Sequence, residues 1–177
     1  MKRIITTEFK DLMIFEGINH EDSRGFLREV FLENKIKKKI KFHIVSKSKK
    51  NVLRGMHFQN KKAQGKYVSV IKGKIFDVVV DLRRKSKTFG KWFSVILSQK
   101  NCTSIYIPAG FAHGFLSLEN ENIVYYSCTE YRSPKNEFSM NYKDPTIKIK
   151  WPKKKMLISE KDKLAKNFKE LLKEKVI

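Results

Sequence analysis

Short apolar or alternating runs recur along the chain between residues 26 and 128, and turn residues separate them. Their spacing of about ten residues is typical of a β-barrel or β-sandwich rather than of alternating βαβ units. The pattern therefore predicts an all-β fold. The predicted strands are Phe26 to Leu32, Phe42 to Val45, Val52 to Phe58, Tyr67 to Ile71, Ile75 to Leu82, Trp92 to Leu97, Ser104 to Ile107, His113 to Leu118 and Ile123 to Cys128.

The predicted strand Ile75 to Leu82 carries apolar side chains on both faces. Such a strand is covered on both sides, and in a small barrel the outer cover is often a second subunit. This pattern predicts a homodimer. The Lys72-Gly73 pair just before it stands between two predicted strands and indicates a tight hairpin turn.

The periodicity changes near the end of the chain. Ser159 is a predicted N-cap, and Asp162 follows at the third helical position, which favours a helix start. We predict a C-terminal helix over about residues 159–175 and a single domain of residues 1–177. Four apolar side chains fall on one face of this helix: Leu164, Phe168, Leu171 and Leu172.

The formal net charge of +21 is carried mainly by lysine. The lysines are spread along the chain, and lysine is less suited than arginine to planar phosphate or base readout. The charge therefore indicates a solvated surface rather than a nucleic-acid interface, and it also suits an anionic small substrate.

The chain shows neither a membrane span nor a disulfide framework. No apolar run approaches the roughly 18 residues of a span, and the N-terminus lacks the apolar segment of a signal peptide. The two cysteines, Cys102 and Cys128, could form one disulfide at most, which cannot by itself stabilise a fold of this size. We expect reduced thiols in a cytoplasmic protein that does not contact membranes.

Histidines are the first candidates for catalysis or metal binding, and they are His20, His43, His57 and His113. Small β-barrels often bind a metal through two histidines one residue apart, but Phe115 follows His113 at that spacing. The sequence therefore does not indicate a metal site. His57 is the natural general base because imidazole titrates near neutral pH, although a buried structural histidine is the alternative.

Other side chains can complete a proton-transfer site. Tyr126 can donate a proton, and Lys66 can stabilise an oxyanion. Asp162 can orient His57, and Asp77 can hold His113. Taken singly, each has a structural alternative: a core aromatic residue, a surface lysine, an acid favoured at a helix N-terminus, or an ordinary strand residue.

Taken together and in order, these residues lie in runs that resemble the dTDP-4-dehydrorhamnose 3,5-epimerase family. The resemblance spans residues 1 to about 165, and its arginine-glycine-x-histidine and glycine-phenylalanine-alanine-histidine-glycine motifs are highly specific. The matching runs are Asp22 to Phe26, Val52 to Gln59, Phe76 to Arg83, Thr88 to Trp92, Ile107 to Phe115, Asp144-Pro145 with Trp151-Pro152, and Ser159 to Asp162.

The resemblance implies a cupin-like jelly-roll β-barrel that is dimeric and uses no metal or other cofactor. It implies an epimerase that inverts C3, and also C5, of a nucleotide-diphosphate-linked 4-keto-6-deoxy sugar. By resemblance His57 is the base with Asp162 as its carboxylate partner, and Tyr126 is the acid. Lys66 is the oxyanion-stabilising cation, and His113 with Asp77 forms a second buried pair. The substrate-binding residues implied are Arg24, Phe26, Glu29, Arg54, Gln59 and Arg132.

The chain departs from the family pattern where the substrate is recognised. The family usually carries a glutamine and an asparagine at the positions of Phe42 and Ile44, and often an aromatic residue at the position of Arg132. A GDP-linked 4-keto-6-deoxyheptose is therefore an alternative substrate, and inversion at C3 alone is an alternative reaction. A non-catalytic protein that binds a nucleotide sugar or a polyanion is the third interpretation.

Overall fold

The computed structural model describes residues 2–177 and is built mainly of antiparallel strands. The strands are β1 (Arg3–Thr6), β2 (Met13–Glu16), β3 (His20–Asp22), β4 (Gly25–Leu27), β5 (Phe42–Lys49), β6 (Leu53–Gln59), β7 (Lys66–Lys72), β8 (Lys74–Asp81), β9 (Trp92–Ser98), β10 (Thr103–Ile107), β11 (Phe111–Ser117), β12 (Glu121–Cys128) and β13 (Glu137–Ser139). The helices are α1 (Glu33–Ile36), α2 (Glu160–Lys163) and α3 (Phe168–Lys173). None of the helices among residues 2–177 has the length and apolar composition that a membrane crossing requires.

Two sheets form the body of the protein. One has the strand order β1-β2-β10-β7-β12-β5, and the other has the order β13-β6-β11-β8-β9. Apolar side chains from both sheets meet in a shared core, which includes Val68 and Val70 of β7 and Val79 of β8. This arrangement confirms the predicted all-β, jelly-roll fold.

The turn at Lys72-Gly73 is not a hairpin, so that prediction was wrong. The turn connects β7 to β8, which lie in different sheets and do not pair. Gly73 has a φ of +82°, and a side chain there would collide with the backbone of Glu121. The glycine correctly indicated a sharp turn, but its dihedral does not specify whether the next strand returns to the same sheet.

The outer face of β8 is covered by the same chain, not by a second subunit. Val78 and Val80 pack in one cluster with Met140, Phe168 and Leu171. Segments after β12 therefore supply the cover that the doubly apolar strand predicted. The apolar outer face gives no argument for a dimer.

The predicted C-terminal helix is divided into α2 and α3. Leu164 lies between them and is 82% exposed, whereas Phe168 and Leu171 are buried. Asn167 is the N-cap of α3, and its backbone N–H donates to the Glu170 carboxylate at 2.6 Å. A second helix start within the apolar pattern explains why one continuous helix was the wrong prediction.

The first four strands were not predicted correctly, because β1, β2 and β3 were missed and β4 is shorter than predicted. β1 and β2 pair with each other, and β2 also pairs with β10. The expected strand Phe26 to Leu32 is reduced to β4, which pairs only with β3. The hairpin of β3 and β4 stands apart from both main sheets.

Candidate active site

A cavity of about 390 Å³ lies between the two sheets, which is a size typical of small-molecule sites. β5, β7 and β12 supply one wall, and β6 and β11 supply the other, while α2 borders it. All four predicted catalytic side chains line this cavity, and so does His113 of the predicted second pair: His57, Lys66, Tyr126, Asp162 and His113. The sequence positions of these residues are far apart, and the jelly roll brings them together.

His57 and Asp162 form a hydrogen-bonded pair at the border of the cavity. The distance from His57 Nε2 to Asp162 Oδ1 is 2.7 Å. The His57 side chain is 32% exposed, whereas Asp162 is buried. In the part of the chain that the structure describes, Nδ1 of His57 has no hydrogen-bond partner. This ring nitrogen can exchange a proton with a ligand.

The carboxylate of Asp162 is held from several directions. Its Oδ2 accepts the Gly55 backbone N–H at 3.4 Å, and its own backbone N–H donates to Ser159 Oγ at 3.2 Å. Burial alone would raise the pKa of Asp162, but the hydrogen bond and charge of His57, with the other donors, lower the pKa below its ordinary value. The carboxylate is therefore ionised at neutral pH and stabilises a positively charged imidazole.

Glycines allow the strands that carry the two histidines to approach closely. β6 pairs with β11 so that His57 faces His113, and the register shifts between His113 and Phe115. A Cβ on Gly114 would lie 2.7 Å from the Arg54 carbonyl oxygen. A Cβ on Gly55, two residues before His57, would collide with the Gly114 Cα. Strand packing therefore requires a glycine at both positions, one in each histidine motif.

Tyr126 faces the cavity from β12. Its hydroxyl lies 3.1 Å from Ser46 Oγ on the neighbouring strand β5. Burial raises the pKa of Tyr126 well above its ordinary value. The phenol is therefore protonated at neutral pH and can donate a proton to a carbanion.

Lys66 begins β7, directly opposite Cys128 on β12. Burial lowers the pKa of Lys66, while the negative charges of Glu137 and Asp77 oppose that change. Burial also raises the pKa of Cys128 to about 11, so this thiol is neutral. Lys66 lines the cavity, where a protonated lysine can stabilise a developing oxyanion.

The second histidine–aspartate pair lies beside the first. His113 Nε2 is 2.8 Å from Asp77 Oδ2, and both side chains are buried. The other Asp77 oxygen, Oδ1, has no hydrogen-bond partner among residues 2–177. The two residues contact each other as the resemblance implies.

The predicted substrate-binding residues separate into two groups. Arg54, Gln59 and Arg132 line the cavity. Gln59 is buried and donates to the Lys62 carbonyl oxygen at 2.7 Å, so it holds the following loop. Arg54 donates to Ser48 Oγ at 2.9 Å and Arg132 to Glu137 at 2.6 Å.

Arg24, Phe26 and Glu29 do not line the cavity of their own subunit. Arg24 lies in the turn between β3 and β4 and pairs with Asp22. Phe26 is 47% exposed, and Glu29 follows the hairpin and is also exposed. Within one subunit the structure therefore does not bring these three residues to the predicted site.

Several residues that line the cavity were missed as functional candidates. Ser46 shares the inward face of β5 with Phe42 and Ile44, so the period of two along the strand would have indicated it. Glu137 and Lys161 also line the cavity, and no pattern in the sequence distinguishes them from other surface charges.

The described part of the chain, residues 2–177, contains no group of three or more histidine, cysteine, aspartate or glutamate side chains placed to hold a metal ion. In each His–Asp pair the imidazole hydrogen-bonds to its own aspartate. The side chains of the two pairs do not converge on a common point.

The dTDP-4-dehydrorhamnose 3,5-epimerase family model matches residues 6–170. A curated relative of that name from Methanothermobacter thermautotrophicus is 43% identical over 176 residues, with 95% of each chain covered. A crystal structure of dTDP-6-deoxy-D-glucose-3,5-epimerase from Legionella pneumophila, in complex with dTDP-4-keto-L-rhamnose, superposes with a TM-score of 0.93. It is 41% identical, and the match covers 99% of this chain and 96% of that chain.

A third similar structure is a 3′-monoepimerase from Streptomyces bikiniensis in complex with dTDP-quinovose. Its TM-score is 0.91 at 29% identity, with 97% of this chain and 90% of that chain covered. The match of the family model across nearly the whole chain and the identity to curated relatives agree with a cavity lined by His57, Asp162 and His113. The chain belongs to the dTDP-4-dehydrorhamnose 3,5-epimerase family.

Proposed function

We propose that this protein is a cofactor-independent epimerase that inverts C3 and C5 of a nucleotide-diphosphate-linked 4-keto-6-deoxy sugar, such as dTDP-4-dehydro-6-deoxyglucose. One observation carries the proposal. His57 stands on β6 of one sheet and is paired with Asp162 on α2, and the Tyr126 hydroxyl stands on β12 of the other sheet, with one cavity between them. A base and an acid thus face each other across the space for a sugar ring.

The chemistry needs such a pair. A 4-keto group acidifies the C–H bonds at C3 and C5, because the electron pair left on carbon delocalises onto oxygen as an enolate. His57 Nδ1 removes the proton from one face of the ring, and the Tyr126 hydroxyl returns a proton to the opposite face. The carbon centre is inverted, and exchange with solvent resets both side chains.

Each surrounding group has a role in this step. Asp162 stabilises the imidazolium that forms when His57 accepts the proton. Lys66 stabilises the enolate oxygen, and Arg54 contributes a guanidinium to the diphosphate. Positioned acid–base groups typically contribute about 10²–10⁴-fold to rate. His113 lines the same cavity, and its hydrogen bond to the buried Asp77 holds the imidazole in place.

We further propose that the active unit is a homodimer in which the β3–β4 hairpin reaches the cavity of the partner. An isolated two-stranded hairpin is marginally stable in water. This hairpin also exposes apolar side chains, with Leu27 74% exposed. Exchange would bury that surface and bring Arg24, Phe26 and Glu29 to a substrate. Mass measurement in solution tests the dimer, and activity recovered on mixing R24A with H57N subunits tests the exchange.

We also propose a cytoplasmic location. Both cysteines are free and buried thiols, which is usual in a reducing compartment. A nucleotide sugar is the proposed small-molecule partner, and the dispersed lysines do not require nucleic acid or a membrane.

Proton NMR in D₂O tests the function with dTDP-4-keto-6-deoxyglucose and a GDP-4-keto-6-deoxyheptose. Exchange at both C3 and C5 of one substrate supports the proposal and selects the nucleotide. Exchange at C3 alone identifies a monoepimerase, as in the Streptomyces relative. Absence of exchange across a wider panel of 4-keto sugars would overturn the enzymatic proposal and favour a binding protein.

A further inference from the structure

Glu137 joins two cations at the edge of the cavity. Its side chain is 15% exposed, and its two oxygens accept hydrogen bonds from Arg132 Nε at 2.6 Å and Lys161 Nζ at 2.9 Å. Burial alone would raise the pKa of Glu137, but these two hydrogen bonds outweigh it and lower the pKa to about 2. Both ion pairs therefore persist at neutral pH. We call Arg132, Glu137 and Lys161 the Glu137 clamp.

The clamp connects the two elements that carry the proposed base and its partner. Lys161 immediately precedes Asp162 in α2. Glu137 lies on β13, which pairs with β6 so that Ser139 faces His57. The Lys161–Glu137 ion pair therefore ties the helix that carries Asp162 to the strand adjacent to His57.

α2 needs such an anchor. A helix of four residues has little stability of its own, because nucleation is unfavourable. Ser159 caps its start, and the backbone bond from Leu53 to Leu157 holds the segment before it. The Glu137 clamp adds an attachment within the helix itself, next to the functional carboxylate.

We propose that the Glu137 clamp positions Asp162 against His57 during turnover. Glu137 acts through Lys161 and α2 and is a positioning residue rather than a catalytic one. Arg132 orients the Glu137 carboxylate from the other side. This inference rests on the epimerase function proposed above.

The physical argument distinguishes rate from stability. A partly exposed lysine contributes little to the free energy of unfolding through an ion pair. Reacting groups displaced by about 1 Å can nevertheless lose about 10²-fold in rate. Loss of the clamp is therefore expected to lower kcat while leaving the melting temperature nearly unchanged.

Two lysines of α2 provide a matched pair of variants. The Lys161 ammonium contacts Glu137, whereas the Lys163 ammonium contacts Glu160 on the same helix. We expect K161M and E137Q each to lower kcat for C3 proton exchange by about 10- to 100-fold, with KM changed less than twofold. K163M is expected to retain wild-type kcat and KM. K161R, which keeps the cation, is expected to recover most of the rate.

Three outcomes would overturn the proposal. A raised KM with unchanged kcat in K161M would make Lys161 a substrate ligand. An equal loss of kcat in K163M would mean that α2 tolerates no change, independent of the clamp. Wild-type kcat in both E137Q and K161M would show that the clamp does not position the dyad. If the wild-type protein exchanges no sugar proton, the proposed function fails first, and this result is distinct from the other three.

Discussion

The two histidine–aspartate pairs have nearly the same hydrogen-bond length but stand in different surroundings. His57 Nε2 lies 2.7 Å from Asp162 Oδ1, and His113 Nε2 lies 2.8 Å from Asp77 Oδ2. His57 is partly exposed to the cavity, whereas His113 and Asp77 are both buried. A histidine needs access to its substrate to transfer a proton, so we expect the two pairs to have different roles.

The scaffolds of the two pairs also differ. His113 and Asp77 stand on the adjacent central strands β11 and β8, where both backbones are fixed by ladder hydrogen bonds. Asp162 instead stands on the four-residue helix α2, which is attached through caps and ion pairs. A rigid pair contributes mainly to the stability of the fold and to the local electrostatic field. A pair at a movable edge can adjust to a ligand, and its geometry depends on few contacts.

The largest expected effect separates the two histidines by activity. Glutamine places its amide nitrogen near the position of imidazole Nε2, so H57Q and H113Q each keep a donor to the aspartate. H57Q removes Nδ1, and we expect kcat to fall by about 10²–10⁴-fold. H113Q is expected to lose less than about tenfold. Deuterium exchange at C3 measures both, and equal losses would contradict the division of roles.

We expect the free energy of unfolding to show the reverse order, with the larger loss for the His113 variant. H113A leaves the buried Asp77 carboxylate without its partner, and we expect a loss of about 3–5 kcal/mol in the free energy of unfolding. H57A exposes Asp162 to a cavity that admits water, and a loss of about 1–2 kcal/mol is expected. Urea unfolding of both variants measures the difference. A larger loss for H57A would show that the exposed pair, and not the buried one, stabilises the fold.

Ser46 offers a smaller test of the acid that faces His57. S46A removes the hydroxyl that lies 3.1 Å from the Tyr126 hydroxyl. We expect kcat to fall by about 3- to 10-fold with KM unchanged, because Tyr126 remains but its orientation is less constrained. S46T keeps the hydroxyl and is expected to recover the rate. If S46A and wild type have the same kcat, the bond from Ser46 has no positioning role.

The smallest effect concerns acid stability. The pKa of Asp162 in the folded protein is lower than its ordinary value of 3.8. Its contribution to stability is therefore fully present above the unfolded value and is lost as pH falls through the folded one. We expect the melting temperature of D162N to fall less than that of the wild type between pH 5 and pH 3. Parallel curves would show that Asp162 gains no stabilisation from its partners.

The site was more predictable than the path of the chain around it. The motifs around His57 and His113 contain the glycines that close strand packing requires. The local geometry of each motif therefore follows from its own residues. By contrast, the pattern around Lys72-Gly73 identified a sharp turn but assigned β8 to the wrong pairing. The helical periodicity from Leu164 to Leu172 did not reveal the second N-cap at Asn167.

Long-range contacts explain what sequence reasoning missed. Glu137 and Lys161 are ordinary charged residues in the sequence. The pairing of β13 with β6 brings Glu137 to the cavity, and Lys161 reaches the same cavity from α2. The cover on β8 comes from residues after β12 rather than from another subunit. Arg24 and Phe26 match family positions, yet one subunit leaves them exposed on a hairpin.

The sequence by itself determined the strand-rich fold, because periodicity is a local property of the chain, and its motifs carried the resemblance to the family. That resemblance in turn implied the two His–Asp pairs and the burial of the second. Only the tertiary structure decided that the His57 side chain is 32% exposed and that an ion pair joins Lys161 of α2 to Glu137. Exposure and the pairing of distant charges arise from how strands and helices pack, and no short segment of sequence encodes them.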